Sequence, residues 1–206
     1  MGLDEDYVHQ IEKAAELMDI GMLKFGDNFR MDSPELGPRE REMVRRHPIF
    51  SVEILQTVRS NWEILPLVRH HHEWWNGMGY PDGLKGEAIP LGARILCLAD
   101  AFVAMVSPRA FREALDVKSA LKEIEEYSGV QFDPRVARTF LDYMLSRIKG
   151  SIFINGDEND YPRAGREIGS SRITGNPAGV DDGKEFGCGI DEATLLDMLR
   201  EIHVKP

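Results

Sequence analysis

The chain is expected to fold as an all-α bundle, and three features of its 206 residues carry that expectation. Apolar residues recur at helical spacing in successive segments, and the alternation that marks strands is scarce. Most of these segments are bounded by proline, glycine or a capping acid. One of them, residues 90–106, is apolar nearly all round, as a buried central helix must be.

The first helix is read over residues 3–23, where Val8, Ile11, Ala14, Ala15, Leu17 and Met18 share a face. Asp4 caps it, Glu5 and Asp6 sit where the helix dipole favours acids, and Gly21 marks its end before a 26–28 Gly-Asp-Asn loop. Pro38 suits the first position of a second helix that ends near Arg46, with His47-Pro48 read as its breaker. Short helices follow over 51–58 and 61–71. Residues 76–87 are too rich in glycine for helix or strand and predict a long ordered loop. After the central helix come amphipathic helices over 116–127 and 134–148, the second capped by Asp133. Composition shifts at Gly150: residues 150–190 are glycine-rich and weakly periodic, which favours loose order. Residues 191–206 then form a short amphipathic helix capped by Asp191, its face Leu195, Leu199 and Ile202, with Ile190 placed to staple against Leu195.

At 42% hydrophobic and 29% charged, the composition is that of an ordinary globular protein. A net charge of −10 argues against attraction to a nucleic-acid polymer, while leaving room for a small phosphate ligand met by local arginines or a metal. Cys97 and Cys188 stand alone, in keeping with a reducing compartment. No apolar run reaches membrane-span length and the N-terminus is acidic rather than signal-like, so a cytoplasmic location is expected.

The chemistry concentrates in residues 70–100, HHHEWWNGMGYPDGLKGEAIPLGARILCLAD. Imidazoles and carboxylates are the ligands that divalent transition metals take. His71 and His72 lie at one expected helix end, His47 at another, and Asp19 near the end of the first helix. A bundle could bring all four together. A lone histidine is more often a satisfied surface or core residue; for the adjacent pair, metal ligation is the better reading. Asp100 lies inside the apolar run RILCLADAFVAMV, where an ionised carboxylate needs a cation or several donors. A metal is the more economical partner. The alternative is Arg94, six positions away and off the favoured helical spacing.

These residues also carry a resemblance. The 70–100 stretch, followed by SPRAFR and QFDP, and preceded by AAELMDIG and ELGPREREMVRRHP, resembles the HD-GYP family of the HD superfamily. These are bacterial phosphodiesterases of signalling systems that act on cyclic di-GMP. The resemblance covers about residues 3–148, with Asn76 in place of the family's aspartate. It implies an HD-type helical bundle with a long GYP loop over residues 1–149, lacking the family's first helix. It implies a divalent metal, iron or manganese, in a centre whose activated water attacks a phosphodiester. Asp19 would be the catalytic, bridging carboxylate, with His47, His71 and His72 completing one metal position and Asp100 reaching a second. Arg109 and Arg112 would clamp substrate phosphate, and Tyr80 would shape the loop over the site or face a signalling partner. The substrate implied is a cyclic dinucleotide, the product its linear form.

Two exchanges bear on activity. Met18 occupies the histidine position of the HD pair, where a thioether is a poor ligand for hard metals, and Met22 replaces a lysine. His9 is not placed to compensate. One metal rather than two or three, and weak turnover, are therefore expected; the alternative is an inactive regulatory module binding a metal, a dinucleotide or a partner protein. The short N-terminal end would leave apolar surface on the first helix for the tail helix, an upstream domain or a second copy to cover.

Overall fold

The computed structural model describes residues 2–25, 37–58, 62–108 and 113–155, with side chains given as far as 148. Seven α-helices appear among them: α1 (Glu5–Leu17), α2 (Pro38–Val44), α3 (His47–Val58), α4 (Leu65–His70), α5 (Leu91–Val106), α6 (Val117–Glu126) and α7 (Pro134–Asn155). Two 3-10 helices, Ile20–Phe25 and Gly86–Ala88, complete the helical content. An isolated bridge between Ser128 and Phe132 is the nearest approach to a strand among the described residues. The fold is all-α, as the sequence patterning predicts.

The central helix explains the architecture. Every residue of α5 from Gly92 to Met105 is buried, and α1, α4, α6 and α7 all pack against it. Gly92 permits the closest of these approaches: a β-carbon there would lie 2.6 Å from the Leu67 side chain of α4 and 3.0 Å from that of Ile11 of α1. Phe102 of α5 meets Phe140 of α7 edge to face, with ring centres 5.0 Å apart. The core between these helices includes Ile11, Ala14, Met18, Leu67, Val68, Leu96, Leu98 and Ile124.

Acids cap three ends, at two of which, Asp4 and Asp133, the sequence predicts the cap. Asp4 accepts from the Asp6 amide at 2.8 Å, and Asp116 from the Ser119 amide at 3.0 Å. Asp133 accepts from the Arg135 amide at 2.8 Å. Four boundaries differ, one of them the start of α4, which lies at Leu65 rather than at 61. Helix α1 stops at Leu17, and residues 20–25 tighten into a 3-10 helix instead of continuing it. His47-Pro48 opens α3 rather than merely ending α2, because a proline lacks only an amide that a first turn leaves unbonded. Helix α7 runs through Gly150 to Asn155, beyond the end predicted at 148. The segment 156–190 and the tail helix expected over 191–206 lie outside the described residues, as do Arg109 and Arg112.

No described helix is long and apolar enough to cross a membrane.

Candidate metal centre

The sequence Met18-Asp19-Ile20-Gly21 turns the chain from α1 into the 3-10 helix and lays it against the start of α3. Two hydrogen bonds hold this approach: the Ser51 hydroxyl donates to the Met18 carbonyl at 2.6 Å and accepts from the Gly21 amide at 2.8 Å. Glycine is needed at position 21 because a β-carbon would lie 2.2 Å from the His47 carbonyl oxygen and 2.5 Å from the Ser51 nitrogen. Asp19 is thereby carried to the ring of His47, its Oδ1 3.0 Å from Nε2.

His47 begins α3, and His71 and His72 follow the last turn of α4, two helices that pack side by side. The Nδ1 of His47 donates to the Val44 carbonyl and that of His71 to the Val68 carbonyl, each at 2.7 Å. A carbonyl only accepts, so both rings carry a proton on Nδ1, and the neutral form of each has its lone pair at Nε2. Those two nitrogens face each other at 3.2 Å, and Asp19 Oδ1 is 3.8 Å from the His71 nitrogen. The third ring, His72, lies with its centre 4.1 Å from that of His71, and its Nε2 is buried without a hydrogen-bond partner.

One ligand atom each from Asp19, His47, His71 and His72 can be chosen so that all lie within 4.8 Å of one another. Atoms bound about 2.1 Å from one ion sit roughly 3.0–4.2 Å apart, so a small contraction would seat a divalent metal. The donor set suits such an ion: converging nitrogen lone pairs and a carboxylate oxygen repel one another until a cation stands between them. Nδ1–H bonds to backbone carbonyls are also how metal-binding histidines are commonly oriented. Burial pushes His71 down to about 4, with His47 adding to the effect, and pushes His72 well below the ordinary histidine range, so both rings are neutral at pH 7. Neutral imidazole is the form that ligates.

Of the other residues singled out from the sequence, Asp100 is buried on α5 but does not join this four-residue group. Arg94, weighed as its ion-pair partner, gives Nη1 to Asp133 at 2.6 Å and Nε to the Ile89 carbonyl at 2.9 Å. Met18 is buried, with 2% of its surface exposed, among the apolar side chains of the core. Tyr80 stacks on His72, with ring centres 4.8 Å apart and planes 28° from parallel.

Sequence reasoning passed over Glu73, although it stands next to the histidine pair. Its side chain is fully buried, and its two oxygens accept from the amides of Asp82 at 2.7 Å and Leu84 at 3.0 Å. Arg69 grips Asp82 through two bonds of 2.7 and 2.8 Å, which holds the Asp82 carboxyl below its usual range. These contacts fold the glycine-rich loop back over the histidines. Gly79 makes that possible, since a β-carbon there would lie 2.2 Å from the Trp74 nitrogen and 2.5 Å from the His72 carbonyl. His70, Glu73 and Asp82 also form a compact group, but both carboxylates already have their oxygens committed to these donors. The four glycines of the loop gave a signal for its shape; nothing in the sequence showed which carboxylate would tie it down.

Comparison with known proteins bears on this geometry. Residues 1–136 match the family model described as HD domain. A cyclic di-GMP phosphodiesterase of Thermotoga maritima is 39% identical over 145 residues, covering 68% of this chain and 39% of the relative. A cyclic di-GMP phosphodiesterase response regulator of Xanthomonas campestris is 38% identical over 143 residues, again 68% of this chain and 38% of the relative. A solved structure, a cyclic GMP-AMP specific phosphodiesterase of Vibrio cholerae, superposes with a TM-score of 0.55 at 22% identity, covering 73% of this chain and 41% of that one. The chain thus spans about two fifths of the length of these relatives.

Proposed function

Because the chain belongs to the HD domain family and is of the HD-GYP kind, we propose that it is a metal-dependent phosphohydrolase whose substrate is a cyclic dinucleotide, cyclic di-GMP in the first instance. The observation that carries this reading is the pair of Nε2 atoms of His47 and His71, 3.2 Å apart and facing a carboxylate. Asp19, His47, His71 and His72 would hold one iron or manganese ion. Such an ion supplies Lewis acidity, neutralising charge on phosphoryl oxygens and acidifying the attacking water. The chain's own part is to fix the ligands: the Val44 and Val68 carbonyls lock the two tautomers, and Ser51 and Gly21 set the height of Asp19. Tyr80, stacked on His72, would keep that ring in place and shield the site from bulk water. Arg109 and Arg112 would grip substrate phosphate, and Asp100 would serve a second metal position if one forms.

Turnover is expected to be slow. Met18 lies in the core at the position where the HD pair has its histidine, and Met22 brings no charge. Removing one electrostatic stabiliser from a site of this type costs about 3–4 kcal/mol of barrier. The same observation favours a second reading, a regulatory module that binds a cyclic dinucleotide without cleaving it. Exposed Met78, at the edge of the loop, then offers a partner an apolar contact.

The deciding experiment incubates the full chain, reconstituted with Mn(II) or anaerobic Fe(II), with cyclic di-GMP. Slow release of the linear dinucleotide, lost in His71→Ala, supports the enzyme; tight binding without product supports the module. Neither binding nor cleavage overturns both.

A further inference from the structure

Four side chains converge on the centre. Asp19, His47, His71 and His72 can each place one ligand atom within 4.8 Å of the others, and among the described residues no further histidine, cysteine or acid joins them. Met18, next to Asp19, is buried in the apolar core, and Asp100 stays outside the group. The three rings are walled in, with 1%, 0% and 7% of their surface exposed for His47, His71 and His72. Asp19, its side chain 29% exposed, is the member that solvent reaches.

Divalent metals differ in how many ligands they take. Zinc settles with four in a tetrahedron; where the protein supplies all four the site is closed, whereas catalytic zinc sites use three and keep the last position open. Manganese and iron(II) take more ligands, so on the same four side chains they keep positions open. Three of the four donors here are imidazoles, which suit zinc well and manganese poorly. The spacing also agrees with a tetrahedron. Donors about 2.0–2.1 Å from a zinc ion lie about 3.3 Å from one another. The separations here fall on both sides of that value: 3.0 Å from Asp19 Oδ1 to His47 Nε2, 3.2 Å between the His47 and His71 nitrogens, and 3.8 Å from Asp19 Oδ1 to His71 Nε2.

We propose that Zn(II) displaces manganese or iron from this centre and is held by all four side chains at once, a closed form with no position for water or a phosphoryl oxygen. The proposal rests on the metal-dependent reading above and deepens it, because the ion bound decides whether the centre can hydrolyse. With manganese or iron, open positions admit water and substrate. With zinc, the centre ties the 3-10 helix after α1 to α3 and α4 and does no chemistry. The slow enzyme and the silent module are then two metal forms of one chain.

The test starts from the full chain stripped of metal. Loaded with Mn(II) and then equilibrated with equal amounts of Mn(II) and Zn(II), it is expected to lose nearly all its manganese and gain about one zinc per chain. Loaded with Co(II) in the place of zinc, it is expected to show the intense visible absorption of a four-coordinate ion rather than the weak bands of a six-coordinate one. In His72→Ala, or His72→Gln should the first fail to fold, those bands shift and zinc is held more weakly. Zinc raises the melting temperature above that of the manganese form and abolishes release of the linear dinucleotide from cyclic di-GMP. Manganese retained against zinc overturns the proposal, as do weak six-coordinate cobalt bands, bands unchanged in the His72 variant, or product release that continues once zinc is bound. Each of these leaves the phosphohydrolase reading standing. A manganese form that releases no product defeats that reading, while displacement and the cobalt bands still decide this one. A chain that takes up none of the three ions defeats both.

Discussion

Position 21 shows how much of the centre depends on a missing methyl group. Any side chain there must push the His47 carbonyl and the Ser51 amide away, and both belong to the turn of α3 that presents a ligand. Overpacking of this kind costs about 1–3 kcal/mol. Gly21→Ala is expected to lower stability by that amount in urea unfolding and to weaken metal uptake; an unchanged midpoint would show that the 3-10 helix slides freely. The histidines give a pH signature. His71 takes up its proton near pH 4 in the fold and near 6.5 in the unfolded chain, so the unfolded state binds more protons between those values. Stability of the metal-free protein is therefore complete above 6.5 and falls as pH drops toward 4, with His72 acting in the same direction. Urea midpoints at pH 7.5 and 5 check this, and His71→Ala should flatten the difference. Met18→His is expected to place an imidazole among apolar side chains and to leave hydrolysis weak, since position 22 still carries no charge. Strong turnover by that variant would show the core methionine to be the main defect.

The elements differ in how far sequence could foretell them. Periodicity located α5, α6 and the start of α1 well because its signal is local, as is that of the capping acid Asp4, which bonds an amide two residues away. The glycine-rich loop was also legible as a loop. Its anchoring was not, because Glu73 bonds amides on the far side of the turn and Arg69 meets a carboxylate supplied by that same turn. His47-Pro48 was ambiguous for a related reason, since a proline both stops one helix and suits the first turn of the next. The two loop anchors should differ in weight. Glu73→Ala deprives two part-buried amides of their acceptor, at a cost of about 1–3 kcal/mol. Arg69→Ala removes a pair one-third exposed, worth about 1 kcal/mol or less. Amide hydrogen exchange over residues 79–88 should rise strongly in the first variant and slightly in the second; equal effects would contradict this ranking.

At the scale of the molecule, the buried α5 is the post against which α1 and α4 pack, and α4 in turn carries α3. That arrangement gathers Asp19, His47, His71 and His72 from three separate stretches of chain. The ligand types were legible in sequence and their partners in space were implied by family resemblance. The tautomers, and the orphaned Nε2 of His72, required the fold, since they depend on which carbonyls lie within reach of each ring. The central claim is that these four residues form one metal position. Elemental analysis of the full chain after reconstitution with Mn(II) or anaerobic Fe(II), repeated for His47→Ala and His71→Ala, tests it most directly. The expected result is about one ion per wild-type chain and a large loss in both variants; a wild-type chain without metal, or variants that retain it in full, would contradict the claim.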